Sequence, residues 1–229
     1  MLVIAATIGV AGAAALVGAS LVNGDRATAP APSTTVAMGP ETAALLRGIP
    51  QQGETLGSPR APLTLVEYAD PQCPYCGEFA RTTLPTLIRD YVRTGKVKLV
   101  FRGLEFVGPD SDPALRAVYA AGRQNKLWSY AHLMFENQGT ENTGWVTDGL
   151  ISSLTAAVPG LDAARLSTDR RSSSVAEAIA ISGKHAQLDG VTHTPWFQLG
   201  ATGGQMQTLA TPSLDAAVFT AAFDRLLRR

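Results

Sequence analysis

The two cysteines of this 229-residue chain stand three positions apart, in Cys73-Pro74-Tyr75-Cys76. A disulfide between them closes almost no loop and adds little stability, whereas a secreted scaffold held by disulfides needs more cysteines, widely spread. The pair follows a short apolar run and opens an amphipathic one, which places it at a strand-to-helix turn, where Cys-x-x-Cys is a redox pattern. A helix N-terminus brings partial positive charge and free N–H donors to the first sulfur, favouring thiolate over thiol. Pro74 suits the first helical turn because the donor it lacks would be unpaired there. Cys76, one turn in, is close enough to attack a mixed disulfide formed at Cys73. The competing chemistry is half of a zinc site, which needs two further ligands; the chain offers His132, His185 and His193 and no second cysteine pair. Thiol–disulfide exchange ranks well ahead of metal binding, and neither a metal nor a cofactor is expected.

Two other positions bear on this chemistry. Glu67 lies in the middle of an apolar strand pattern, six residues before Cys73. Burial there raises a carboxyl's proton affinity, so that it can receive and return the proton of a buried thiol. The plainer reading turns Glu67 to solvent from an edge strand. Pro195, preceded by Thr194, opens a later strand pattern. It is either a trans boundary residue or a cis-proline, and the sequence alone does not decide the isomer.

The elements that must carry these residues are legible from periodicity. Leu63 to Tyr68, bounded by Pro62 and Asp70-Pro71, reads as a buried strand. Cys76, Phe79, Ala80, Leu84, Leu87, Ile88, Tyr91 and Val92 recur at three and four, a helix that Pro85 should kink and Gly95 should end. Lys96 to Arg102 reads as a second strand, so strand, helix and strand form a right-handed parallel unit. Amphipathic stretches follow, from a Ser111 cap to about Gln124, then Leu127 to Asn137, Trp145 to Val158 and Ser172 to Leu188. Trp196 to Leu199 and Gln205 to Leu209 flank a glycine-containing hairpin, and Ser213 caps a last helix bearing Leu214, Val218, Ala222 and Leu226 on one face. Trp128, Tyr130, Leu133, Met134, Phe135 and Trp145 belong either to the core of the helical region or to a groove for unfolded polypeptide.

The chain has 19 basic and 19 acidic residues and no long basic run, which excludes nucleic acid as a partner. Met1 to Val22 contains no charge and is long enough to cross ~30 Å of hydrocarbon as a helix. It reads as a transmembrane anchor or a signal segment. The anchor is favoured because a basic start is missing and Ala27-Thr28-Ala29 is followed by Pro30. Residues 23–44, rich in Ala, Pro and Thr, read as a flexible linker. Residues 45–229 then form one α/β domain with a helical insertion at about 109–189, and its lead-in holds a short edge strand near Thr55-Leu56.

The strand with Glu67, the Cys73-Pro74-Tyr75-Cys76 motif, the helical insertion and Thr194-Pro195 together resemble the DsbA-like branch of the thioredoxin superfamily. The resemblance covers about residues 56–227 and implies a thioredoxin-like fold with an inserted helical subdomain. It also implies an extracytoplasmic thiol–disulfide oxidoreductase that forms disulfides in exported proteins. By that likeness Cys73 is the exposed nucleophile, Cys76 the resolving cysteine and Glu67 the buried acid–base group. Pro195 is then the cis-proline facing the cysteines, with Thr194 before it offering backbone to a substrate strand. The implied partners are reduced or misoxidised exported polypeptides, a quinone-linked membrane oxidoreductase for reoxidation, and the membrane itself through residues 1–22. Strong oxidants of the branch carry Pro-His between the cysteines; Tyr75 departs from that pattern and leaves a disulfide reductase or isomerase as the alternative direction. A non-catalytic peptide- or metal-binding envelope protein is the reading from outside this class. His193 belongs either near Cys73 or to a plain surface loop.

Overall fold

The protein is described from a computed structural model, which covers residues 40–228. The segment 1–22 and the linker as far as residue 39 lie outside the described residues. Among the described residues, no helix is long and apolar enough to cross a membrane.

The lead-in is more ordered than its composition suggests. Helix α1, Pro40–Leu46, takes up the end of the expected linker, with Thr42 and Leu46 buried. Strands β1, Gln51–Gln52, and β2, Thr55–Leu56, form a hairpin. Strand β3, Leu63–Ala69, is buried along its whole length. A continuous helical run over residues 74–92 follows, in which α2, Pro74–Glu78, and α3, Leu84–Leu87, alternate with wider π turns at Phe79–Thr83 and Ile88–Val92. The irregularity predicted at Pro85 takes this form: Leu84 N–H reaches back five residues to the Phe79 carbonyl, and the wider turn accommodates the proline ring. Gly95, at φ +72°, ends the run.

Strand β4, Val97–Gly103, pairs parallel to β3, with Glu67 opposite Phe101. The insertion then comprises α4, Ser111–Gly122; α5, Leu127–Glu136; α6, Asp148–Ala157; α7, Ala163–Asp169; and α8, Ser173–Leu188. Helix α7 has no counterpart in the periodicity, because it is only seven residues long and buries Leu166 alone. Trp128, Tyr130, Leu133, Met134 and Phe135 are buried core, and Trp145 packs half-buried against it, so they line no open groove. Phe101 meets Trp128 edge-on at 6.0 Å, joining sheet to insertion.

Strands β5, Trp196–Ala201, and β6, Gln207–Thr208, form the antiparallel hairpin, and α9, Ala216–Leu227, ends the domain. The expected caps at Ser111 and Ser213 do not form. Ser111 is already helical and spends its hydroxyl on Asp70, while Asp215 is the N-cap of α9 and leaves Leu214 outside the helix. The sheet order is β1-β2-β4-β3-β5-β6. Strand β3 is therefore interior, between β4 and β5. Alternation along it puts Leu63, Leu65, Glu67 and Ala69 on one face and Thr64, Val66 and Tyr68 on the other. The first face shares a hydrophobic cluster with Cys73, Cys76 and Phe79, so the strand period aims Glu67 at the face covered by the cysteine-bearing helix.

Candidate active site

Strand β3 ends at Ala69, and the turn Asp70-Pro71-Gln72 delivers Cys73 to the N-cap of α2 in an extended conformation, φ −66° and ψ 119°. No side chain caps this helix, so its first N–H groups are free to face the sulfur. The Cys73 thiol is held down to about 6, first by a hydrogen bond from the Cys76 thiol. Burial pushes the other way, and the Thr194 side chain and the N–H groups of Cys76 and Tyr75 add to the stabilisation. The Thr194–Pro195 peptide is cis, and the Cys73 thiol lies 3.3 Å from the Thr194 carbonyl, to which it donates.

Cys76 is the opposite case. It is wholly buried, and its thiol is pushed well above the ordinary range, by burial first and then by the hydrogen bond and charge of Cys73 and the charge of Glu67. Glu67 is 3 % exposed, and its Oε1 has no hydrogen-bond partner. Burial, and secondarily the Cys73 charge, push its carboxyl up to about 8. The interior position of β3 removes the edge-strand reading of Glu67.

One sequence expectation needs correction. Cys73 is not an openly exposed sulfur: it is 5 % exposed, against 0 % for Cys76, because the Thr194–Pro195 loop closes over it. Exposure near the pair belongs instead to Tyr75, at 62 %. A cleft of about 380 Å³ runs beside it, lined by Tyr75, Glu78, His193, Thr194, Pro195 and Leu214. His193 lies edge-on to Trp196 at 4.9 Å and is one wall of this cleft. The histidines stand apart from the cysteines as a ligand set: His132 is buried on α5 against Glu136, and His185 is on α8.

The residues that hold the turn were invisible in the sequence. Asp70 is fully buried, and its carboxylate accepts hydrogen bonds from the N–H groups of Gln72 (2.8 Å), Phe106 (2.7 Å) and Val107 (2.7 Å) and from the Ser111 hydroxyl (2.8 Å). Buried Gln72 donates to Ser111 and Asn142, and Gln138 donates to the carbonyls of Pro71 and Cys73. Asp70 had marked only the end of a strand. Gln138 and Asn142, in a polar loop, carry no periodic signal at all.

A turn that holds one thiol ready to ionise and a second one protonated, with a high-pKa carboxyl beside them, is suited to thiol–disulfide exchange. A family model described as Thioredoxin matches residues 51–209. The chain is 29% identical over 179 residues, 77% of its length and 79% of the other's, to a probable disulfide bond formation protein D of Bacillus cereus. Its structure is similar to that of oxidised BdbD from Bacillus subtilis, with TM-score 0.68, 22% identity and coverage of 79% and 98% of the two chains. It is also similar to Pseudomonas aeruginosa DsbA2, with TM-score 0.59, 26% identity and coverage of 79% and 97%.

Proposed function

We propose that this chain, which belongs to the thioredoxin family in its DsbA-like branch of thiol–disulfide oxidoreductases, acts outside the cytoplasm to form disulfides in exported proteins through Cys73 and Cys76. The observation that carries the assignment of roles is the split between the two thiols, about 6 at Cys73 and well above the ordinary value at Cys76. In the oxidised enzyme a substrate thiolate attacks the Cys73 sulfur. The Cys73–Cys76 bond breaks, the electron pair leaves on Cys76, and that sulfur takes a proton from neutral Glu67. A second substrate thiolate then attacks the substrate sulfur of the mixed disulfide. It expels Cys73 as a stabilised thiolate and leaves the substrate two electrons poorer. A thiolate that is a good leaving group makes the enzyme disulfide oxidising, which supports this direction.

Thr194 and Pro195, against Cys73, are the surface on which the substrate segment lies. A quinone-linked membrane oxidoreductase takes the electrons from the reduced pair. The uncharged segment 1–22 tethers the domain at the membrane, where such a partner resides. The test is trapping. Cys76→Ser should accumulate mixed disulfides between Cys73 and reduced exported polypeptides, and Cys73→Ser should accumulate none; trapping by the second variant alone would reverse the two roles.

A further inference from the structure

We propose that Gln138, in the loop that follows α5 of the insertion, is a positioning residue that clamps the turn presenting the Cys73 sulfur. The inference rests on Cys73 being the attacking sulfur. Both N–H groups of one side-chain amide are spent on the turn, on the Pro71 carbonyl at 2.8 Å and the Cys73 carbonyl at 2.9 Å. Two acceptors leave no choice of amide orientation, so Oε1 is turned away from them, toward the helix at Gly77. A Cβ on residue 77 would overlap Gln138 Oε1 and crowd the Arg81 guanidinium, which itself donates to the Phe135 carbonyl at 2.6 Å. The glycine after Cys76 is therefore the gap through which the insertion reaches the catalytic turn.

The same loop grips the turn a second time. Asn142 N–H donates to Gln72 Oε1 at 2.7 Å, and Gln72 Nε2 donates back to Asn142 Oδ1 at 3.2 Å. The groups that stabilise the Cys73 thiolate sit on two separate segments, α2 and Thr194. A sulfur carried on a loosened turn cannot satisfy both, because hydrogen bonds weaken steeply with misalignment. Gln138 touches no reacting atom and acts through the turn.

The test uses Gln138→Leu, which removes the donors, and Gly77→Ala, which pushes the amide away, in the full chain. Thiolate absorbance of the reduced protein gives the Cys73 titration, and mixtures with reduced and oxidised glutathione give its redox equilibrium. Both variants should move the titration upward from about 6. A rise of about one unit corresponds to a roughly tenfold loss of thiolate stability, with a similar shift of the glutathione equilibrium toward the disulfide. Gln138→Asn keeps the amide but shortens its reach, and it decides the matter if Leu does not fold. Unchanged titration and equilibrium, with or without a lower unfolding temperature, would reduce Gln138 to a structural filler and overturn the clamp. A wild-type Cys73 that titrates like an ordinary thiol would sink the assignment of the attacking sulfur and the clamp together.

Discussion

Glu67→Gln should change how the stability of the protein depends on pH, by an amount set by burial. Below pH 4.5 the carboxyl is protonated in both the folded and the unfolded chain, so the fold carries no penalty for it. Above 4.5 the unfolded chain releases the proton, whereas the folded protein keeps it up to about 8. Within that window the unfolded state binds fewer protons, so stability falls as pH rises, by roughly 1.4 kcal/mol per pH unit. The whole window is worth on the order of 5 kcal/mol, of which about 3 kcal/mol has accrued by neutral pH. The amide cannot ionise, and its packing offset is independent of pH, so it drops out of the slope. Urea unfolding of phosphine-reduced wild type and variant from about pH 5 to about pH 8 measures the difference directly. The stability of the variant relative to wild type should climb across the range and level off above about 8. A flat difference would mean that Glu67 ionises normally in the folded protein, and the argument from desolvation would fail.

Iodoacetamide should modify Cys73 with a rate that rises through about pH 6 and leave Cys76 untouched, because burial keeps that thiol protonated. Equal labelling of the two, followed by peptide mapping, would contradict the split. Ser111→Ala removes a hydroxyl that donates to both oxygens of buried Asp70, and urea unfolding should show a loss of about 1.5–3 kcal/mol. A loss under ~0.5 kcal/mol would show that the backbone donors alone suffice. Protease added to sealed spheroplasts should digest the domain; protection would remove the extracytoplasmic assignment. Alkylation of free thiols in living cells should find the pair mainly as disulfide, and a mostly reduced pair would favour the reductase or isomerase direction.

Local patterns carried much of the domain. The short apolar run from Leu63 to Tyr68 and the three-and-four spacing from Cys76 to Val92 are properties of neighbouring residues, and both elements formed where they were read. Cys-x-x-Cys at their junction is likewise local, since a helix N-terminus acts on the sulfur beside it whatever surrounds the domain. Errors arose where a local preference met a stronger distant partner. Ser111 has the signature of a cap, yet a buried carboxylate from 41 residues away takes its hydroxyl. The composition of residues 40–44 reads as the end of a linker, yet packing buries Thr42 and Leu46 and the helix spans Pro40–Leu46.

Chain order likewise determined that a strand precedes the cysteines, that a helix follows them, and that Thr194-Pro195 opens a later strand. Chain order cannot determine which groups meet in space. Strand β3 is interior because β4 and β5 both pair with it, and that pairing removes the edge-strand reading of Glu67 and leaves a buried acid. The Thr194 carbonyl reaches Cys73 across 121 residues, and the Gln138 amide reaches it across 65. Contacts of that range form only when the sheet and the insertion have closed on each other. A polar side chain in a loop has no periodicity to announce the partner it will find, so the cysteine pair at a strand-to-helix turn was legible in the sequence and the frame that holds the turn was decided by the tertiary structure.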